Sequence, residues 1–130
     1  MEISSAEKRK VCIVDDEEDI REIYSVAFSQ SGYEVVTARD GEEGLKVVRE
    51  QKPDIALVDI MMPKMDGLEM IREMKKDPEL AKVPIIVMTN IDDRKITAKA
   101  GKMDVYFYLV KSLFDPKKVV ATVEEVLHNK

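Results

Sequence analysis

One cysteine, Cys12, is all that the chain carries, and it stands inside an apolar stretch as core filler. An internal disulfide is therefore excluded, and a reducing compartment, the cytoplasm, is the expected home. No stretch approaches the roughly 18 consecutive apolar residues of a membrane-spanning helix, and Met1 to Lys10 are polar and of mixed charge, without the apolar centre of a secretion signal. No membrane association is expected. Basic residues are outnumbered, 21 Lys and Arg against 26 Asp and Glu, for a formal net charge of −5. That balance argues against direct nucleic-acid contact as the main business of the chain. Glycine and proline are scarce, five of each, and gather into no linker, repeat or low-complexity tract. A length of 130 residues gives room for one domain and no second.

What is present is a chain 45% hydrophobic and 36% charged, the balance of a globular domain rather than a disordered one. Residues 1–9 read as a flexible lead-in, and the domain is expected over 10–128. Lys10 to Val14 form a first apolar strand that ends at Asp15 and Asp16. From Glu17 the apolar positions Ile20, Ile23, Tyr24, Ala27 and Phe28 recur with helical period as one buried stripe, closed by Gly32. A β-branched strand follows at residues 34–38, then a helix capped by Asp40 that turns Leu45 and Val48 inward and ends near Lys52, because Pro53 disfavours helix in the residue before it.

The run Ile55 to Val58, stopped by Asp59, reads as a central strand covered on both faces. Pro63 and the Asp66-Gly67 pair close the turn after it. A third helix carries Leu68, Ile71 and Met74, and Met61, Met62, Met65, Met70 and Met74 read as adaptable packing. A fourth strand runs from Pro84 to Met88. A weaker, strongly basic helix is expected between Ile91 and Met103, then an aromatic strand from Val105 to Val110 ending at Lys111. The last helix is capped by Asp115, starts at Pro116 and buries Val119, Val120, Val123, Val126 and Leu127. Strand and helix thus alternate about five times, the pattern of an α/β doubly wound parallel sheet.

The chemistry-bearing residues collect at the carboxyl ends of the strands, where ligands bind in such sheets. They are Asp15 and Asp16, Asp59, Thr89 and Lys111. Taken singly, Thr89 reads as a helix cap, Lys111 as a surface lysine, and the first acids as partners of a helix dipole. Jointly they have a chemical logic. Mg²⁺ takes one or two carboxylates with waters and phosphate oxygens, an aspartate can accept a phosphoryl group, and a hydroxyl with an ammonium can hold the remaining oxygens.

The motifs Val14-Asp15-Asp16-Glu17, Val58-Asp59-Ile60-Met61-Met62-Pro63, Met65-Asp66-Gly67, Met88-Thr89 and Leu109-Val110-Lys111 resemble those of the receiver domain of two-component response regulators, and the likeness spans Lys10 to Leu127. The resemblance implies a flavodoxin-like three-layer sandwich with a five-stranded sheet in the order 2-1-3-4-5. It also implies phosphoryl transfer from a sensor histidine kinase or phosphotransfer protein onto Asp59. On the same likeness Asp16 is a direct Mg²⁺ ligand, Asp15 stands nearby or binds through water, and the carbonyl of Met61 completes the set. Thr89 and Lys111 match the switch hydroxyl and the phosphate-binding lysine. Tyr108 matches the switch aromatic, and reads equally as a strand aromatic packed under the last helix. Output to a downstream effector or output domain is implied through the fourth helix, the fifth strand and the fifth helix, including Arg94 to Lys102, Tyr108, Lys117 and Lys118. Such a receiver catalyses only its own phosphorylation and dephosphorylation, and it fits a stand-alone protein or a piece of a larger regulator equally.

Two departures stand out. Ser112 follows the lysine where the family usually has proline, so a trans Lys111-Ser112 bond is expected, since a non-proline cis bond costs roughly 2.5–4 kcal/mol. Asp104-Val105 replaces the usual small residues before the last strand. The rival reading is a Mg²⁺-dependent phosphohydrolase with an Asp nucleophile. Such enzymes carry a second acid two residues after the nucleophile, where this chain has Met61, leaving no side-chain general acid or base there.

Overall fold

Each strand core alternates between two apolar partners, and that alternation builds the layers. In the computed structural model, which describes residues 8–60, 62, 65–89, 102, 107–110 and 115–128, the strands are β1 (Lys10–Val14), β2 (Glu34–Ala38), β3 (Ile55–Asp59), β4 (Ile85–Thr89) and β5 (Phe107–Val110). The helices are α1 (Glu18–Gln30), α2 (Gly41–Gln51), α3 (Gly67–Lys76) and α4 (Pro116–His128), with a short 3-10 turn at Leu80–Lys82 that the sequence pattern did not announce. All strand pairs are parallel, in the order β2-β1-β3-β4-β5. The expected doubly wound, flavodoxin-like sheet is therefore observed.

Side chains two apart share a face of a strand. Cys12, Val14, Ala56, Val58, Ile85 and Val87 pack with Leu45 and Val48 of α2 and with Leu68, Met70, Ile71 and Met74 of α3. Val11, Ile13, Ile55, Leu57, Ile86 and Met88 pack on the opposite side with Tyr24 and Phe28 of α1 and the valines of α4. Every residue of β3 from Ile55 to Val58 is buried, so each contributes about 1.5–3 kcal/mol where its side chain is Val, Leu or Ile. Phe28 and Tyr33 meet edge to face at 5.3 Å. Burial pushes the Cys12 thiol up to about 12, which leaves it neutral and unreactive.

The helix ends follow their local chemistry. Asp40, Asp66 and Asp115 accept from the backbone N–H groups of Glu43, Glu69 and Lys118, each at 2.9 Å. Gly32 takes φ +92° past the end of α1, where its N–H donates to the carbonyl of Ser29. Lys52 ends α2 in the left-handed region at φ 48°, a conformation costing a non-glycine residue roughly 1–2 kcal/mol. Pro53, which cannot continue the helix, follows it.

Some expectations need correction. Ile23 is not part of the buried stripe of α1: it is 49% exposed, beside Val26 at 51%. The burial of α1 centres on Tyr24 and Phe28, and Ile23 falls on the rim of that arc. Helix α1 begins at Glu18 with Glu17 as its cap, and β4 begins at Ile85, one residue later than read in each case. The lead-in up to residue 7, the basic segment 91–101 and the Lys111-Ser112 bond lie outside the described residues.

Candidate functional site

Strand order reverses between β1 and β3. The chain leaves β1 toward β2 on one side and leaves β3 toward β4 on the other, which opens a crevice at the carboxyl ends of these two neighbours. Val14 is paired with Val58, so Asp15 and Asp59, one residue further on, stand side by side. Both continue the face that carries Val11, Ile13, Ile55 and Leu57, the face covered by α1 and α4. The carboxylate oxygens of Asp15, Asp16 and Asp59 lie within 4.8 Å of one another. Asp15 and Asp59 are buried and Asp16 is exposed.

Asp15 is held through both its backbone and its side chain. Its N–H extends the ladder to the carbonyl of Ala38 at 3.1 Å, and its Oδ1 accepts from the N–H of Glu17 at 2.9 Å, turning the chain into α1. Arg21, one turn into that helix, donates through Nη1 to the Asp15 carbonyl at 2.7 Å. Arg21 was missed by the sequence reading, because six residues of separation across a strand-to-helix turn gives no periodic signal.

Past Asp59 the chain is fixed by contacts at each end of the next turn. The N–H of Ile60 donates to Met88 at 3.3 Å, and that of Gly67 returns to the carbonyl of Ile60 at 2.9 Å. Gly67 is so close to the strand end that a Cβ there would collide with the carbonyl oxygen of Asp59 and come within 2.9 Å of the Ile60 Cα. From the side, the N–H of Gly41 donates to the carbonyl of Met65 at 3.0 Å.

Two like charges about 4 Å apart repel by roughly 4 kcal/mol at an effective dielectric of about 20, less where one is exposed to water. Three carboxylates this close form a group that could hold a cation. Among the described residues the donors are oxygens alone, with no sulfur or imidazole in the cluster, which suits a hard ion of the Mg²⁺ class. The acid cluster fits the implied metal.

Thr89 ends β4 beside Asp59's partner Met88, and its backbone pairs with Val110, the residue before Lys111. Tyr108 lies in β5, paired with Val87. Met61 and Lys111 lie outside the described residues. Lys117 and Lys118 are exposed on α4, and Lys102 is exposed in a turn.

The response regulator receiver domain family model matches residues 11–124. A probable transcriptional regulator, ycf27, of Guillardia theta is 41% identical over 98% of this chain and 48% of its own length. A probable chemotaxis protein CheY of Rhizobium etli is 36% identical over 95% of this chain and 96% of its own. Among solved structures, the chemotaxis protein CheY4 of Vibrio cholerae superposes with a TM-score of 0.85 at 29% identity, covering 92% of this chain and 98% of that one. The chain spans about half the length of the ycf27 relatives and nearly all of the Rhizobium protein. Family match, sheet order and the acid cluster at the strand ends agree, and the chain belongs to the response regulator receiver domain family.

Proposed function

We propose that this receiver takes a phosphoryl group from a phosphohistidine of a sensor kinase or phosphotransfer protein onto Asp59. The observation that carries the reading is the meeting of Asp15, Asp16 and Asp59 within 4.8 Å where the strand order reverses. One carboxylate oxygen of Asp59 attacks phosphorus, the P–N bond to the donor breaks as the O–P bond forms, and the imidazole leaves with the electron pair. Asp16, Asp59 and the Met61 carbonyl would hold Mg²⁺, with Asp15 beside it or joined through water. When bound, the ion offsets the charge of the carboxylates and of the phosphoryl oxygens. Thr89 and Lys111 are proposed to take the remaining oxygens.

Phosphorylation would draw Thr89 toward the phosphate and leave room for Tyr108 to turn inward, biasing the face formed by residues 94–102, β5 and α4 toward an effector or output domain. Only a differential interaction with the two states can shift such an equilibrium. The domain itself is proposed to span residues 10–128, to work in the cytoplasm, and to contact neither nucleic acid nor membrane directly. Among the described residues no helix is long and apolar enough to cross a membrane.

The test is intact-mass analysis after incubation with a small-molecule phosphodonor. One phosphoryl adduct is expected with Mg²⁺ and none after chelation; an adduct indifferent to the metal would count against the site.

The aspartyl phosphate is expected to be long-lived. Hydrolysis needs a water in line with phosphorus, and in the receiver family the side chain two places after the phosphoacceptor borders that approach. Here it is Met61, whose thioether accepts hydrogen bonds weakly and donates none. Met61→Asn should lose the phosphoryl group faster than the wild type at equal Mg²⁺, by about 10-fold if ordering that water is worth one good hydrogen bond. Equal or slower loss would remove Met61 from the control of water access.

A further inference from the structure

We infer that Gly41, the first residue of α2, is a positioning residue for the metal site, acting through Met65 to Gly67, the residues that lead back to the end of β3. The inference stands on the Mg²⁺ reading above and adds to it a helix that carries no ligand. The N–H of Gly41 donates to the Met65 carbonyl at 3.0 Å. That group is one of the free donors at a helix N-terminus, and the helix dipole favours a carbonyl oxygen there. The approach needs a residue without a side chain. A Cβ at position 41 would collide with the Met65 carbonyl oxygen and lie 2.9 Å from its carbonyl carbon and 2.8 Å from its Cγ. Two of these three atoms are backbone, so no rotamer change relieves the overlap.

One turn on, α2 is packed closely on the same face: a Cβ at Gly44 would lie 3.1 Å from Val14 Cγ1 and 2.7 Å from Met70 Sδ. Its first turn is fixed by Asp40, which is buried and accepts from Glu43 at 2.9 Å. On the loop side, Asp66 caps α3 and Gly67 is tied to Ile60. Met65 is joined through Asp66 to Gly67, which lies against the Asp59 carbonyl and is bonded to Ile60, so a push from α2 is passed toward the strand end that carries Asp59.

Coupling of this kind is reciprocal. If the Gly41 contact favours the loop arrangement that binds Mg²⁺, the ion must strengthen the Gly41 contact to the same degree. Two measurements test this. In the wild-type protein, amide exchange at Gly41 should slow several-fold on saturation with Mg²⁺. In calorimetric titration with Mg²⁺, Gly41→Ala should bind about 10-fold more weakly, the size of effect expected when support behind metal ligands is lost. Gly44→Ala should bind more tightly than Gly41→Ala, because its closest contacts are the flexible end of Met70 and one methyl of Val14 rather than backbone atoms. Exchange at Gly41 that ignores Mg²⁺, or equal affinity in Gly41→Ala and wild type, would overturn the inference and leave the metal site standing. Failure of the wild type to bind Mg²⁺ would remove the metal reading itself. Should Gly41→Ala not fold, the wild-type exchange measurement decides.

Discussion

Asp59→Asn is expected to take up no phosphoryl group at all from a small-molecule phosphodonor, and also to be more stable than the wild type in the absence of divalent metal. Asparagine has nearly the volume of aspartate, so the strand end keeps its packing, while the carboxylate proposed as the nucleophile is lost. The stability gain comes from the crowding of acids. Asp59 is 4% exposed and its carboxylate lies within 4.8 Å of those of Asp15 and Asp16. Removing one charge relieves two repulsions and gives up the favourable contacts that Asp59 itself makes. With Asp16 open to water, the net gain should be on the order of 1–2 kcal/mol, well under the roughly 4 kcal/mol per pair of a less solvated setting. That corresponds to a rise of a few degrees in Tm.

Mg²⁺ should reverse the ranking. A ligand that binds only the folded state adds about 2.7 kcal/mol at 100 times its Kd, and the variant, with one carboxylate fewer, forfeits most of that. Intact mass and urea unfolding with and without Mg²⁺ read both effects together. A surviving adduct would move the phosphoacceptor elsewhere, and an unchanged apo stability would mean that the three acids do not strain one another.

The parts of this site visible in the sequence share a cause. A parallel strand buried on both faces writes itself as an unbroken apolar run, so the acid that stops it, Asp59 after Val58 or Asp15 after Val14, is marked without any three-dimensional knowledge. That the two acids face the same way follows from strand parity once Val14 is paired with Val58. The register itself had to be observed. Ile23 shows the opposite limit: helical period places it near the buried arc, but whether an arc extends one residue further depends on how closely the neighbouring helix approaches. The tight glycines were hidden for a related reason. Gly67 was visible as a turn residue, yet its contact with Asp59 depends on how the chain returns after β3. The contact of Gly41 with Met65 crosses from the start of α2 to a turn far off in sequence. Arg21 and the left-handed Lys52 likewise depend on where a backbone carbonyl or a following proline happens to sit in space.

Gly67→Ala turns that hidden contact into the second large expectation. Three effects compete. Alanine favours helix over glycine by about 1 kcal/mol in a helix interior, and less at the first position, which Gly67 occupies. Against this stands overpacking, typically about 1–3 kcal/mol, because the new Cβ meets the Asp59 carbonyl oxygen and lies 2.9 Å from both the Asp59 carbonyl carbon and the Ile60 Cα. The bond from the Gly67 N–H to the Ile60 carbonyl, 2.9 Å long, would also stretch or break, at about 1 kcal/mol. The unfavourable terms win, and a net loss of about 1–3 kcal/mol is expected. How the strain is shared then decides the functional cost. β3 is laddered to β1 and β4, and Ile60 is tied to Met88, so the start of α3 and the loop behind it must yield first. Part of the displacement still reaches Asp59, since the overlap is with its own carbonyl. A misplacement of about 1 Å at a reacting group can cost about 100-fold in rate, so phosphorylation of Gly67→Ala should fall by up to that factor at saturating phosphodonor and Mg²⁺. Urea unfolding and the rate of adduct formation read the two consequences separately. Lost stability with a wild-type rate would place all the strain in α3, whereas a variant as stable and as fast as the wild type would show that the strand end and the helix start are not in the contact described.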